Sequence, residues 1–391
     1  MSTSLRAAGA AIAMCALPWL GGCVAATDTG ETPVEIRGGG GLVAVFPVEN
    51  LSGRAAPLRD VRRLLGARLQ GYGVSVLDDA ILERVVAKHR VRYTAGVEAG
   101  FAKALKEETG ADGIVIPSLE RYDVGKPPQV SLFARLVSTG EDPAVRWIDG
   151  IGAAGDDAPG ILGIGLIEDP EVLLAKAVDG LARSLARRLS EAGGRGGGGP
   201  GAPKFGPKIV YRSDALDSAR TYSVAVVPFF NRSARTFAGE IVALHMIRSL
   251  MSLPGLAVVE PGVVRQELLR FRIIMTDGIS LPETETILSA VNADLVLNGE
   301  VLEYQDRLSP EGVPSVDFGV LFIERRTRRV VYSSYSHNAG DDRVFFFDWG
   351  RVNTAHAMAS QMGRAIAERM LLAPPTAGAQ QRSIGQGNGR R

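Results

Sequence analysis

An internal repeat constrains the fold of this chain more than any other feature of its sequence. LVAVFPVENLSG, which begins at Leu42, matches SVAVVPFFNRSA, which begins at Ser223, at an offset of 181 residues. Further along, GADGIVIPSLERY matches NADLVLNGEVLEY at an offset of 182, and two AGDD segments match at an offset of 185. Because so few residues are inserted between the copies, we interpret the chain as a tandem duplication.

The length of 391 residues is ample for two domains of ordinary size. We expect a glycine-rich and proline-rich linker between the copies and a disordered tail after them. The predicted boundaries are a signal peptide over 1–22, a tether over 23–41, a first copy over 42–190, a linker over 191–208, a second copy over 209–372 and a tail over 373–391.

Charge is balanced along the chain, with 44 basic against 43 acidic residues. There is no basic excess that would favour nucleic acid as a partner. The composition, 46% apolar and 22% charged, is that of an ordinary globular protein.

Each copy presents the same order of secondary-structure signals. Apolar, β-branched runs such as LVAVF and SVAVVPF indicate strands that are covered on both faces. Amphipathic stripes predict a helix after each of these strands, and long amphipathic helices over Pro170–Leu189 and Val352–Leu372 close the copies. The order β-α-β-α-β-β-β-α predicts an α/β fold with two tandem copies of a mixed-sheet sandwich domain.

This order, together with PxxNxS after the first strand and an ADxxVxG-like third strand, resembles the CsgG and TolB amino-terminal-like superfamily. This superfamily includes curli-secretion lipoproteins, lipoprotein activators of penicillin-binding proteins and the amino-terminal domain of TolB, and the resemblance implies a fold like theirs. Two departures count against the best-known members. No propeller follows the second copy, and neither copy contains a pair of long strands with alternating lipid-facing residues, as a pore would require.

The start of the chain is typical of an export signal. Arg6 precedes an apolar run that is too short for a permanent membrane helix, and LGGC follows it at Leu20 to Cys23. LGGC resembles the lipobox of bacterial lipoproteins, which implies cleavage before Cys23 and lipidation of its sulfur. The alternative is an ordinary secretory signal that is cut after Ala25 or Ala26.

The other cysteine of the chain, Cys15, would leave with the signal peptide. The mature domains would then rely on their cores and not on disulfides. Val24 follows Cys23 where a sorting aspartate could stand, and by resemblance to enterobacterial lipoproteins this implies the outer membrane, with the domains in the periplasm.

Three groups of residues are candidates for binding. Asn50 and Asn231 end the first strand of each copy, where open α/β sheets often bind ligands, but Asn and Ser also satisfy backbone groups at turns, which we favour. The adjacent acids could ligate calcium, although a turn with a helix cap is the more common use of such pairs; they are Asp156, Asp157, Asp341 and Asp342.

The third group is an aromatic cluster that only the second copy has. If the cluster is exposed, it could form an interface with a partner. If it is buried, it would dock the final helix onto the sheet, and this is the alternative that we favour. Its members are Phe345, Phe346, Phe347 and Trp349. The arginine-rich segment ERRTRR, from Glu324, is interpreted as a solvated hairpin turn.

The sequence offers no catalytic residue and no cofactor site. GIGAAG, from Gly150, fits GxGxxG, but acidic residues and a proline follow it where a diphosphate-binding helix should start. The histidines lack ligand spacing, and we expect each to be a surface or partly buried residue; they are His89, His245, His337 and His356.

We therefore expect a noncatalytic envelope lipoprotein that binds other envelope proteins in assembly, secretion or peptidoglycan work. It would reach the membrane through its lipid, and self-association stays open. The alternatives are a structural lipoprotein of the outer membrane that binds glycan or lipid and, behind it, an envelope hydrolase.

Overall fold

The computed structural model describes residues 41–157, 165–190, 202–217, 219–273, 281–309, 311–344 and 350–371. These residues fall within Glu35–Arg391, which forms one compact unit by its internal contacts. Among them, no helix combines the length and the apolar character that a membrane crossing requires.

The described residues of the first copy form five strands and four helices. In chain order they are β1 (Val43–Val45), β2 (Glu49–Asn50), α1 (Leu58–Gly71), α2 (Asp79–Lys88), α3 (Ala99–Thr109), β3 (Gly113–Asp123), β4 (Gln129–Ser138), β5 (Val145–Ala154) and α4 (Pro170–Ser190). The predicted stripe of α1 is buried at Val61, Leu65 and Leu69, since these residues share one face of the helix.

The second copy repeats this order and adds two strands, one before it and one between its first two helices. Its elements are β6 (Ile209–Arg212), β7 (Tyr222–Val226), β8 (Phe230–Asn231), α5 (Ala238–Met251), β9 (Leu256–Val258), α6 (Pro261–Arg270), α7 (Leu281–Ala290), β10 (Leu295–Gln305), β11 (Ser315–Glu324), β12 (Arg329–Ala339) and α8 (Ala355–Leu371).

Both sheets are mixed. In the first sheet, of order β1-β3-β4-β5, β1 and β2 lie parallel to β3 and the rest is an antiparallel meander. In the second, of order β6-β12-β11-β10-β7-β9, β7 lies parallel to both β10 and β9, while β8 pairs with β10. The predicted fold class, α/β with two tandem mixed-sheet copies, is confirmed.

Two local features differ from the sequence expectation. VSVLD in the first copy contributes a single bridge, from Val76 to Val43, whereas its counterpart in the second copy forms β9. Phe205, inside the range assigned to the linker, is buried in the core of the second copy, and β6 follows it. Packed structure in the second copy therefore starts before residue 208.

The first sheet is covered on both faces, but by different means. In the first sheet, α1 and α4 cover one face, and α2 and α3 cover part of the other. The rest of that second face, on β4 and β5, packs against α5 and α8 of the second copy, so that Phe133 and Ile148 join the core of the second copy. A sheet face of one copy thus meets a helix pair of the other.

Candidate functional site

The PxxNxS asparagines sit in two turns that are alike in their hydrogen bonds. Asn50 Oδ1 accepts hydrogen bonds from the backbone N (3.0 Å) and Oγ (2.6 Å) of Ser52, and its Nδ2 donates to the carbonyl of Arg54 at 2.7 Å. Asn231 makes the same three contacts in its own turn. Its Oδ1 accepts hydrogen bonds from the backbone N (3.0 Å) and Oγ (2.7 Å) of Ser233, and its Nδ2 donates to the carbonyl of Arg235 at 2.7 Å. Both amides are engaged inside their turns.

The arginines of these turns differ in their surroundings. Arg54 is exposed, whereas the Arg235 guanidinium donates to the carbonyls of Leu51 (3.4 Å), Ser52 (3.1 Å) and Glu120 in the first copy. The second turn therefore docks onto the first turn through a side chain that both copies possess.

The acid pairs lie in the turns that follow β5 and β12. Asp157 Oδ2 accepts the Ala154 N–H at 2.7 Å, and Asp342 Oδ2 accepts the Ala339 N–H at 3.1 Å, so the second acid of each pair closes its turn.

Asp156 in the first copy also reaches across to the second. Both of its oxygens accept hydrogen bonds from the guanidinium of Arg307, and the Asp157 Oδ1 accepts the Asn353 Nδ2 donor at 3.1 Å. A bidentate arginine thus occupies the carboxylate that calcium would need. The Asp341 backbone carbonyl accepts the Val344 N–H at 3.0 Å.

Two predicted features lie outside the described residues. They are Cys23, in the proposed lipobox, and the aromatic cluster of Phe345, Phe346, Phe347 and Trp349.

A buried polar cluster, formed by Glu120, His245, Tyr304 and His356, lies where the two copies meet. The exposed fraction of each of these residues is 2% or less. Glu120 comes from β3 of the first copy, while His245, Tyr304 and His356 come from α5, β10 and α8 of the second. The cluster is therefore built across the interface between the copies.

Glu120 reaches the cluster because it is the extra residue of a β-bulge. The pairing of β3 with β4 shifts register between Leu119 and Arg121, which leaves Glu120 without a cross-strand partner. A bulge bends its strand and redirects one side chain. Here it allows a carboxylate to leave the sheet and enter the interface.

Hydrogen bonds join the members of the cluster. Glu120 Oε2 lies 2.5 Å from His356 Nδ1, and its Oε1 accepts the Tyr304 hydroxyl at 2.5 Å. His245 Nε2 lies 3.4 Å from the Tyr304 hydroxyl, and its Nδ1 lies 3.0 Å from Ser360 Oγ. Both carboxylate oxygens and both nitrogens of His245 are thus engaged.

Close packing surrounds the two imidazoles. The Phe133 ring centroid lies 4.7 Å from that of His245 and 4.7 Å from that of His356. A Cβ on Gly150 would come within 2.9 Å of the His356 ring, and one on Gly152 within 2.7 Å of His356 Cβ. GIGAAG thus lies on β5, where its first two glycines let α8 approach the strand.

Burial and charge shift three pKa values in the cluster. Burial alone would raise the pKa of Glu120, but the charge of His356 and the hydrogen bonds from His356 and Tyr304 outweigh it and hold that pKa below its usual value. Burial, followed by the charges of His356 and Arg248, lowers the pKa of His245 far below its usual value. Burial and then the Glu120 charge raise the pKa of Tyr304 far above its usual value.

Glu120, His245 and His356 also have the donor chemistry of a transition-metal site, with ligand atoms within 4.8 Å of one another. The geometry fits an ion pair better. The 2.5 Å contact between Glu120 and His356 is a direct hydrogen bond, whereas two ligands of zinc at about 2.0–2.1 Å from the metal stand farther apart. We interpret the cluster as a hydrogen-bonded pair of the Glu120 carboxylate and the His356 imidazole, which Tyr304 and a neutral His245 support.

A second buried ion pair joins the copies at the other end of β4. The Glu260 carboxylate, fully buried, accepts the backbone N–H groups of Val97 (3.2 Å) and Gly262 (3.3 Å) and lies 3.4 Å from the Arg135 guanidinium. A Cβ on Gly96 would lie 2.7 Å from Gly262 Cα, so the backbones of the two copies touch there.

A pocket of about 600 Å³ opens near this contact. Three arginines line it together with one acid, Glu98. Arg90, Arg92 and Arg265 have no ion-pair partner among the described residues, and Arg265 lies over the Tyr93 ring at 4.0 Å from its centroid. Burial, followed by the charge of Glu49, raises the pKa of Tyr93 to about 12. The walls of this pocket suit an anion.

The prediction that each histidine is a surface or partly buried residue is wrong for His245 and His356, which are 1% and 2% exposed. His245 and His356 are buried and adjacent, with ring centroids 4.6 Å apart, although nothing in their spacing brings them together. His337 and His89 have largely or partly exposed side chains and pair with Asp317 and Glu108. One signal was present: His245 interrupts IVALHMI, an apolar run of α5 that is buried almost throughout.

Comparisons with known proteins give weak likenesses. No family model and no curated protein matches the chain. Among solved structures, it is similar to the PelC dodecamer from Paraburkholderia phytofirmans, at 16% identity and a TM-score of 0.29, over 42% of this chain and 97% of that one. Lipoprotein GNA1162 from Neisseria meningitidis is 20% identical with a TM-score of 0.27, over 37% of this chain and 99% of that one.

The carboxy-terminal domain of LpoB from Salmonella enterica is 14% identical with a TM-score of 0.25, over 32% of this chain and 86% of that domain. At these identities and TM-scores, the function of this chain has to be argued from its own residues.

Proposed function

We propose that this chain is a noncatalytic, lipid-anchored protein of the bacterial cell envelope whose body binds other envelope proteins. LGGC at Leu20 to Cys23 supports the anchor, and Val24 supports the outer membrane as its location. The CsgG and TolB amino-terminal-like superfamily remains the family that we propose for the two copies.

The observation that carries the binding role is the exposed edge strand β6. Its side chains are apolar and exposed on both faces, with exposed fractions of 67% for Ile209, 40% for Val210 and 52% for Tyr211. β6 pairs with β12 on one side. Free edges with apolar side chains attract strands or surfaces of other proteins, and native proteins rarely leave them uncovered.

The buried cluster supports the absence of catalysis. Its titratable groups are hydrogen-bonded to one another in a closed interior and not arranged around a cleft. A general acid or base must come within hydrogen-bond reach of a substrate, and groups in this position cannot. We therefore assign Glu120 and His356 to the joining of the two copies.

Site-specific photocrosslinking of the full chain in cells tests this role. A crosslinker at Tyr211 should give adducts with envelope proteins other than this chain, whereas the same group at Arg84, exposed on α2, should give few. A Cys23→Ser variant should lose the adducts because it lacks the anchor. Equal adduct patterns at Tyr211 and Arg84, or patterns unchanged by Cys23→Ser, would refute the proposed function.

The unpaired arginines of the 600 Å³ pocket favour a second candidate, the binding of an anionic glycan or lipid headgroup. Calorimetric titration with a phosphorylated saccharide separates the two. Binding that Arg92→Glu abolishes would favour the second candidate, and no heat of binding would exclude it for that probe.

A further inference from the structure

We propose that the outer face of the second sheet binds the α1–α4 helix pair of another copy of this chain, so that molecules associate head to tail. This outer face, on β10, β11, β12 and β6, is the one opposite α5 and α8. Head-to-tail association rests on one premise of the proposed function, namely that the surface around β6 binds protein, and it identifies the partner as a second copy of this chain.

The contact between the two copies inside one molecule provides the precedent. There, the β4–β5 face of the first sheet lies against α5 and α8 of the second copy. These are two different surfaces, and such a contact leaves one of each kind unused at the ends. The unused pair consists of the β11–β12 face of the second copy and the α1–α4 helices of the first.

Strand register identifies the unused sheet face residue by residue. In the first copy Phe133 pairs with Gly150 across β4 and β5, and in the second Gly319 pairs with Tyr335 across β11 and β12. Each pair places one aromatic ring beside one glycine, with the ring moved to the neighbouring strand. The two faces are thus built on one plan.

The unused face is partly apolar and exposed. β6 extends it, because Ile209 pairs with Tyr335 and Tyr211 pairs with Ser333 and paired residues point to the same side of a sheet. Leu302, the bulge residue that corresponds to Glu120, is 37% exposed. The corresponding face of the first copy is covered by α5 and α8, so exposed apolar side chains at the same positions of the second copy indicate a docking surface.

Charge favours the α1–α4 pair as the occupant. The sheet face carries the acids Glu300, Glu303 and Asp317, of which Glu300 lies 3.2 Å from Arg232 and Asp317 accepts the Tyr335 hydroxyl at 2.7 Å. Exposed basic side chains predominate on the helix pair, namely Arg59, Arg63, Arg68, Lys176, Arg183 and Arg187. Opposite charge on the two surfaces steers and orients their encounter, and like surfaces repel one another.

The contact between molecules should be looser than the one inside the molecule. His337 stands at the position of Gly152, so a helix cannot approach β12 as closely as α8 approaches β5. The α1–α4 surface also lacks the buried histidines of α5 and α8. We expect reversible association that grows with concentration and weakens at high salt.

Two complementary variants of residues 35–391, the compact unit, test the proposal by sedimentation velocity. The helix-face variant carries Arg63→Glu, Arg183→Glu and Arg187→Glu, and the sheet-face variant carries Glu300→Lys and Leu302→Lys. Arg84→Glu with Glu107→Lys, on α2 and α3, is the control. Circular dichroism and thermal melting establish that every variant is folded before it is used.

Wild-type and control proteins should form species that grow with concentration, and each variant alone should stay monomeric. An equimolar mixture of the two variants should form a dimer and nothing larger, because each keeps one intact face. A monomeric wild type, variants that assemble as the wild type does, or a mixture that stays monomeric would each overturn head-to-tail association.

These outcomes are separate from those for the proposed function. Monomers in solution together with adducts to envelope proteins in cells would reject self-association alone. Assembly in solution without such adducts would reject the accessory role alone.

Discussion

Inside the protein, Glu120 and His356 form an ion pair that neither copy could form by itself. Charges removed from water are costly unless their partners are well placed, and here both oxygens of the carboxylate have partners. The buried His356 Nε2, in contrast, has no hydrogen-bond partner among the residues that the structure describes. The net stability that the pair contributes is therefore smaller than the cost of breaking it.

Glu120→Gln should destabilise the fold by about 3 kcal/mol, because it replaces the buried carboxylate that bonds both His356 and Tyr304 by an uncharged amide. Urea denaturation at neutral pH measures the change. The control is His337→Gln, which breaks an ion pair to Asp317 on a side chain that is 56% exposed and should cost less than about 1 kcal/mol. Equal losses in the two variants would contradict the assignment of Glu120.

Stability should fall as the pH falls below about 6.5, in part because of His245. Its pKa in the folded state lies far below 6.5, so the unfolded chain takes up a proton in this range and the folded chain does not. The contribution of His245 is therefore present above pH 6.5 and is lost on acidification, by about 1.4 kcal/mol per pH unit. Glu120, whose pKa is lowered, adds to the loss below about pH 4.5.

Unfolding free energies of the wild type and of His245→Gln, measured between pH 7.5 and about 5, test this contribution. The variant should show the shallower dependence on pH, because it has lost the group that takes up a proton on unfolding. Parallel curves would show that His245 does not remain neutral in the fold.

At the scale of elements, the approach of α8 to β5 depends on glycine. Gly152→Ala should lower the melting temperature, since its Cβ would lie 2.7 Å from His356 Cβ and force the helix away. Gly66→Ala is the matched control, because Gly66 is inside α1 with no atom near its Cβ position, and it should gain about 0.5–1 kcal/mol. Melting curves that shift alike would refute the packing role of Gly152.

Most elements could be predicted from the sequence because they repeat. Hydrophobic period, turn residues and a constant offset together indicated both sheets and the closing helices, of which α4 and α8 end within a residue or two of their predicted bounds. β6 could not be predicted, because it follows a glycine-rich segment and has no counterpart in the first copy.

The buried cluster could not be predicted for a related reason. The repeat draws attention to positions where the copies agree, such as Asn50 and Asn231, and these serve their own turns. The interface uses positions where the copies differ: the first copy has Glu120 where the second has Leu302, and Gly152 where the second has His337. Residues that are far apart in the chain come into contact there, and no local sequence pattern predicts such contacts.

At the scale of the molecule, the two copies form one compact unit and not two independent domains. Among the described residues, buried charged side chains cross between the copies at Glu120, Glu260, Asp306 and Arg307. The apolar core of the second copy also takes in side chains of the first. The copies should therefore unfold together.

Scanning calorimetry of residues 35–391 tests this central claim most directly. We predict a single transition whose calorimetric and van't Hoff enthalpies agree, and which Glu120→Gln moves as a whole to lower temperature. Two separable transitions, with Glu120→Gln leaving either of them in place, would contradict it.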